Sequence, residues 1–388
     1  MIYESKNCTS DLNFLKSRNI VLKKIDIFPY VLFGLIISYA FIAGFRMPNL
    51  WSINYYLPSF FDGFYRRALA GTVLSFLGDY KFNYYAIAII QFSILSSLII
   101  WIFFLFKNNF LLMTLISLYF ISPFGAYLFH VVGYSDQLLY LILFISIVVY
   151  KKNKALSIII FSLSILIHEI ALFITVPIYF TYVYMKTEKL KTALMYLVPS
   201  LIIFVLIYLL FQIVPTETIE LFKEQIMSHA NYNMRADFYT IFTSTFTGSR
   251  AQVYYKFIHL NQVFLLLSMG VLSACLMYKL TKKLIVSILI FLTGCAPLLL
   301  GILGWDIYRW FFLSFSSLNT IFILCIIHYK IDLKEFISKE KISFLYFIFY
   351  ILLISTIYLE YFDGYKQREI NRFSIVELKN EFLTIPTR

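Results

Sequence analysis

Long apolar runs follow one another through the chain, separated by short polar turns. Hydrocarbon offers a backbone no hydrogen-bonding partner but itself, so a run of about 20 apolar residues folds as a membrane-crossing helix. With 61% of its 388 residues hydrophobic and 20% aromatic, the chain is too apolar for an ordinary soluble domain. The mean hydropathy of +0.79 says the same. The expected fold class is all-α: a polytopic integral membrane protein whose residues 1–388 form a single transmembrane domain.

Eleven spans are predicted, at about 27–45, 84–106, 109–131, 137–150, 155–167, 170–185, 193–213, 262–280, 284–303, 311–328 and 343–360. Lysines set their direction, because Lys and Arg accumulate in cytoplasmic turns. Clusters at Lys107, at Lys151, Lys152 and Lys154, at Lys186, Lys189 and Lys191, at Lys279, Lys282 and Lys283, and at Lys330, Lys334, Lys339 and Lys341 mark every second turn. Residues 1–26 then form a cytoplasmic tail, 46–83 and 214–261 two large loops on the far side, and 361–388 a far-side tail. The polar start of the chain, with Asp11 and Asp26, and the lack of a small-residue cleavage site make the first run a signal anchor. The +12 charge lies in these lysine turns, where it meets anionic headgroups and membrane lipids; no nucleic-acid partner is expected. Cys8, Cys275, Cys295 and Cys325 have neither pairing nor metal spacing and read as small apolar fillers.

The 31 residues Ala155–Met185 lie between two lysine clusters and contain His168 and Glu169 but no other His, Asp, Glu, Lys or Arg. Flanks on one side require the run to enter and return. Each limb then spans roughly 20–24 Å, too little for a full bilayer. His168-Glu169 is therefore expected at the apex, recessed below the far surface. One long tilted helix is the competing reading, and it inverts every later loop.

Arginine departs from the lysine pattern. Eighteen of 23 lysines fall on the cytoplasmic side, but of ten arginines only Arg18 does. A guanidinium binds phosphate or carboxylate in two-pronged fashion, where an ammonium is a point charge. The far side thus reads as built to hold an anion. Five constellations meet there: Asp62 with Arg66 and Arg67; Asp136 in GYSDQ; His168-Glu169; Arg235 with Asp237, and Arg250; and Asp306 with Arg309 in GWDIYRW. Ionisable groups near membrane depth are costly and mark substrate paths by default.

Four of these constellations also have a plain structural reading. Phe64–Leu77 is predicted as an amphipathic or re-entrant helix begun by Asp62-Gly63 and ended by Gly78, with Asp62 capping it and pairing with Arg66. Asp306 and Arg309 fit an interfacial salt bridge among Trp305, Tyr308 and Trp310. Asp136 or Ser135 fits a helix cap. His168 and Glu169 fit a hydrogen-bonded pair joining helices. Burial is expected to raise the Glu169 pKa and lower that of His168, which suits proton transfer near neutral pH. His229 and His259 read as loop histidines, and His130 as a lone cavity histidine. Leu172 stands where HExxH needs its second His, so no metal is assigned. No P-loop, GxGxxG or GxSxG supports nucleotide chemistry, and no cofactor is expected.

With DGFYRRALAG in the first loop, the recessed His168-Glu169, GWDIYRW and the arginine-bearing loop 214–261, the chain resembles the O-antigen polymerases of bacterial surface-polysaccharide synthesis. The likeness covers most of the chain in layout and about 30 residues in motifs. It implies the inner membrane of a Gram-negative bacterium, with joining of undecaprenyl-diphosphate-linked repeat units on the periplasmic face. It further implies working partners such as a flippase and a chain-length regulator. Arg66, Arg67, Arg235, Arg250 and Arg309, with Asp136 and Asp306, would bind substrate. Asp62, Glu169 or His168 would handle the proton. A single-addition transferase using polyprenyl-phosphate sugars fits the same residues. A transporter or flippase, and a membrane acyltransferase with His168 as base, are further alternatives.

Overall fold

The computed structural model describes residues 28–76, 83–106, 109–211, 213–232, 235, 238, 240–243, 260–303, 306–360, 367–371 and 373–383. Among these, every regular element is a helix. The chain runs through α1 (Phe28–Gly44), two short helices of the first loop, α2 (Leu50–Asn54) and α3 (Leu69–Ser75), then α4 (Tyr84–Phe106), α5 (Phe110–Ile121) and α6 (Pro123–His130). It continues through α7 (Ser135–Tyr150), α8 (Lys154–Ile167), α9 (Ala171–Thr187) and α10 (Leu190–Leu210). The second loop carries α11 (Ile219–Met227) and α12 (Thr240–Thr243). The last third contains α13 (Leu260–Thr281), α14 (Leu284–Cys295), α15 (Leu300–Leu303), α16 (Ile307–Tyr329), α17 (Leu333–Ile337), α18 (Glu340–Thr356) and α19 (Ser374–Leu383).

A helix stands at each of the eleven predicted segments. Among the described residues, α4, α10, α13 and α16 are long and apolar enough to cross a membrane singly, and the bent pair α5–α6 would make a fifth. The most apolar stretch of α16 is 83% buried inside the protein, against 17% for α10. α16 is therefore the central helix and α10 a peripheral one. Small residues allow the close approach that packing in lipid requires. Gly294 of α14 lies flat on Leu318, where an added Cβ would come within 2.9 Å, and the Ser314 hydroxyl donates to the Gly294 carbonyl at 2.5 Å.

Two sequence expectations change in detail. The predicted span 109–131 is broken, with α5 and α6 bent by 69°. Pro123 forces the residue before it out of the helical region. Ser122 accordingly adopts φ −78°, ψ 166°, and its hydroxyl caps the Phe124 N–H at 3.2 Å. The predicted Phe64–Leu77 helix is only Leu69–Ser75 among the described residues. Gly63 at φ +145° and Arg67 at φ +67° hold the preceding stretch in conformations that no helix contains.

A helix break falls at His168-Glu169, where the sequence places one. The first helix ends at Ile167, His168 is extended, and the second begins at Ala171. At the far end of the molecule Arg368 ties the tail to α1. Its N–H donates to the Ala43 carbonyl at 2.9 Å, and its guanidinium lies 2.9 Å from Glu381, which also approaches Arg46 at 3.6 Å. Arg46 and Arg368 thus fasten α19 to the end of α1.

Candidate functional site

Arg67 is the hinge of the site. Its Nε donates to both Glu169 carboxylate oxygens, at 3.0 and 2.9 Å, and one terminal nitrogen also donates to Glu169. The other terminal nitrogen donates to the Tyr55 hydroxyl at 2.8 Å. The guanidinium also lies 5.0 Å from the centre of the Tyr55 ring. A left-handed backbone is costly for a long side chain and persists only where the surroundings fix it. Here the fork on Glu169 supplies that fixing contact. His168 completes the group: its ring centre is 5.8 Å from that of Tyr55.

The His168 Nδ1 faces two groups at once, the Ile170 N–H at 3.2 Å and the Glu169 carboxylate at 3.3 Å. A bare Nδ1 accepts from the first; a protonated Nδ1 donates to the second. One proton therefore exchanges one contact for the other.

A second fork joins α7 to α16. Arg309 donates from Nε to Asp136 Oδ2 at 2.8 Å and from a terminal nitrogen to Asp136 Oδ1 at 2.7 Å. Both side chains are buried, Asp136 almost wholly. Asp306 approaches the same arginine at 3.8 Å. The guanidinium stacks over Tyr134 at 4.4 Å, an arrangement open to arginine but not to lysine. The expected Asp136 cap is not formed: Tyr134 occupies the N-cap, without a side-chain cap bond, and the carboxylate turns inward to Arg309.

The two forks are neighbours. The Arg309 charge acts on both Arg67 and His168, and Tyr134 feels both Arg309 and Tyr55. Segments at Tyr55–Arg67, Tyr134–Asp136, His168–Glu169 and Asp306–Arg309 thus converge in one buried patch. Arg66 is buried beside it, its guanidinium 5.8 Å from the Phe211 ring centre. Arg235 reaches the patch from the second loop, 5.5 Å over Trp51, whose ring touches Tyr55. Arg250 and Asp237 lie outside the described residues.

Asp62 takes a different partner from the one expected. Instead of capping a helix and pairing with Arg66, it accepts at Oδ2 from the Ser59 N–H and hydroxyl, at 2.8 and 2.9 Å. Its other oxygen meets Gln225 Nε2 at 3.1 Å and His229 Nε2 at 2.9 Å. The non-helical stretch at Gly63 turns Asp62 away from Arg66 and toward α11. The Asp62 side chain is buried and that of His229 is 37% exposed, so the carboxylate orients an imidazole that solvent reaches. The bond also docks the second loop on the first.

Electrostatics reverse one expectation. Burial alone would raise the Glu169 pKa, but Arg67, and then His168, hold it well below the ordinary carboxylate range. Burial, reinforced by Arg67, lowers the His168 pKa to about 4. Arg66 falls to about 10, through burial and the Arg67 charge beside it. Near neutral pH, Glu169 is an ionised strut and His168 a neutral ring.

Tyr55, Tyr134, Gln225 and His229 were not singled out as site residues in the sequence. The aromatic excess hides the two tyrosines, and nothing local marks Gln225 or His229 as partners of a residue more than 160 positions earlier. No protein-family model, curated protein or solved structure matches this chain.

Proposed function

We propose that the chain is an O-antigen polymerase, which joins undecaprenyl-diphosphate-linked repeat units on the periplasmic face of a bacterial inner membrane. The carrying observation is the convergence of charged residues from four distant segments on one buried patch, tied by the Arg67–Glu169 and Arg309–Asp136 forks. In this reading the chain spans the membrane eleven times, with 46–83, 214–261 and 361–388 in the periplasm. The short limbs α8 and α9 thin the membrane below the patch.

The chemistry asks for two things. A lipid diphosphate is already a good leaving group, so the protein must stabilise the charge that develops on it. It must also take a proton from the acceptor hydroxyl. Arg67 and Arg309, set by their carboxylates, give the seat its shape. Arg66 and Arg235 bring further positive charge to it. Glu169 is a poor base here, because Arg67 occupies both of its oxygens. Asp62 is the better one, acting through the half-exposed His229. His229 receives the acceptor proton as the hydroxyl oxygen bonds to the anomeric carbon in line with the departing diphosphate. The configuration at that carbon inverts.

Deleting the gene in its native host and running the extracted lipopolysaccharide on a gel tests the reading. Lipid core carrying a single repeat unit, restored by wild type but not by Arg66→Ala at normal membrane level, is the expected result. An unchanged ladder would sink it. One added sugar without any ladder would instead favour a single-addition transferase.

A further inference from the structure

Below the charged patch, an apolar groove runs between α4, α5, α7 and α16. Its wall includes Leu98, Ile102 and Leu105 of α4, Phe144 of α7, and Phe312 and Ile323 of α16. Leu105 is 44% exposed, so the groove opens toward the lipid on that side. Polar groups in the wall are satisfied locally. The Tyr119 hydroxyl meets Ser316 at 2.8 Å, the Tyr140 hydroxyl meets Ser317 at 3.1 Å, and Asn319 donates to the Phe315 carbonyl at 2.9 Å. What remains for an occupant is hydrocarbon.

The helix register links groove and patch. On α7, Asp136, Tyr140 and Phe144 succeed one another at four-residue steps. On α16, Arg309, Phe312, Ser316, Asn319 and Ile323 follow at three and four. Residues so spaced share one helix face. The faces that carry the Asp136–Arg309 fork at their start therefore carry the groove wall one turn further in.

The size of the groove selects the occupant. It encloses about 100 Å³. From Phe312 to Leu324 it runs about 18 Å at 1.5 Å per residue, so it is a long, thin slot. A helix 10–12 Å across is far wider than such a slot. A single hydrocarbon chain fits, and a protein segment does not.

We propose that this groove holds the hydrocarbon chain of a lipid phosphate whose headgroup sits at the Arg309 and Arg67 forks. The inference rests on reading that patch as a lipid-diphosphate site, and it adds the place of the tail. The groove would then fix the reacting end of the lipid at a set depth.

The test uses the full-length protein in nanodiscs and a polyprenyl phosphate that bears a photoreactive diazirine in its chain. After irradiation the labelled peptides are mapped. Label on α4 and α16, displaced by unlabelled polyprenyl diphosphate but not by phosphatidylethanolamine, is the expected result. Ile323→Trp and, separately, Ile102→Trp should each cut the labelling about ten-fold without lowering the thermal midpoint. Label spread over the exposed faces of α1 and α10 overturns the proposal. So does displacement by phosphatidylethanolamine as readily as by the diphosphate, which would make the groove a seat for bulk lipid. Mapping on wild-type protein decides the matter even if both tryptophan variants misfold. Groove labelling beside an unaltered glycan ladder in the deletion strain would retire the polymerase and keep the groove. A lost ladder with label elsewhere would do the reverse.

Discussion

Arg67 and Glu169 stand 102 positions apart in the chain, yet one guanidinium grips both carboxylate oxygens. The contact fastens the first loop to the break between α8 and α9. It also explains why Arg67 tolerates φ +67°. Removing one member of a buried pair leaves the other charge uncompensated, which costs about 3–5 kcal/mol. With the two side chains only 15% and 11% exposed, that penalty applies with little screening. Arg67→Ala and Glu169→Ala should each lower stability by about that amount, and the double variant by clearly less than the sum. Chemical unfolding of the four proteins in detergent measures the coupling. Strict additivity would show that the fork contributes nothing.

The Arg309–Asp136 fork makes a sharper test of geometry. Lysine keeps the charge of arginine but loses the two parallel donors and the flat face that lies on Tyr134. Arg309→Lys should therefore lower the thermal midpoint by several degrees, on the order of 2 kcal/mol, and Arg309→Ala, which leaves Asp136 unpaired, by more. A lysine variant as stable as wild type would mean that charge alone matters at this position.

The fold was legible because its cause is local. Each apolar run buries its own backbone polar groups as a helix, so all eleven segments are helical where the sequence places them. The break at His168-Glu169 was legible from two lysine clusters whose 31-residue spacing is long for one crossing and short for two full ones. The break at Ser122-Pro123 had a signal in Pro123 itself, which an even run of apolar residues obscured. The partners were less legible. Sequence brings Asp62 within one helical turn of Arg66, and that spacing suggested a pair. Gly63 and Arg67 keep the stretch from becoming a helix, and Asp62 bonds to His229 instead. Glu169 was marked as buried, which correctly predicts desolvation but not the arginine that overrides it. Long-range pairing of this kind depends on where loops fold back, and one sequence carries no trace of it.

Asp62 and His229 offer a division between stability and activity. The pair sits at the edge of the fold with the imidazole 37% exposed, so its worth to stability is about 1 kcal/mol or less. If His229 carries the acceptor proton, its loss should nonetheless remove most of the glycan ladder. His229→Ala is expected to reach the membrane at wild-type level, unfold at nearly the wild-type temperature, and leave single-repeat lipopolysaccharide on the gel. A full ladder from that strain would reduce Asp62–His229 to a clasp between loops.

Orientation of the chain can be read with two single cysteines. Gly248→Cys lies in the second loop and Asn153→Cys in a lysine turn. In a background lacking the four native cysteines, a membrane-impermeant maleimide should label position 248 in intact spheroplasts. Position 153 should label only after the membrane is opened, as lysine-rich turns face the cytoplasm. The opposite pattern would put the charged patch on the cytoplasmic side and end the polymerase reading with it.

Acid should loosen the patch in two stages. His168 has its pKa lowered from 6.5 to about 4 by burial and by Arg67. Between those values the unfolded chain carries a proton on this ring that the folded chain does not. Stability therefore falls as pH drops through that window, since the state that binds more protons gains. Glu169 adds a second loss further down. Its folded pKa lies well below the ordinary range, so the unfolded carboxylate takes a proton first, from about pH 4.3 downward. The thermal midpoint in detergent should hold from pH 8 to about 6.5, decline to about 4, then drop faster. His168→Gln cannot titrate, and it should flatten the upper stage while leaving the lower one. A wild-type midpoint that rises between pH 6.5 and 4.5 would show that His168 is charged in the folded protein, and that its Nδ1 donates to Glu169 instead of accepting from Ile170.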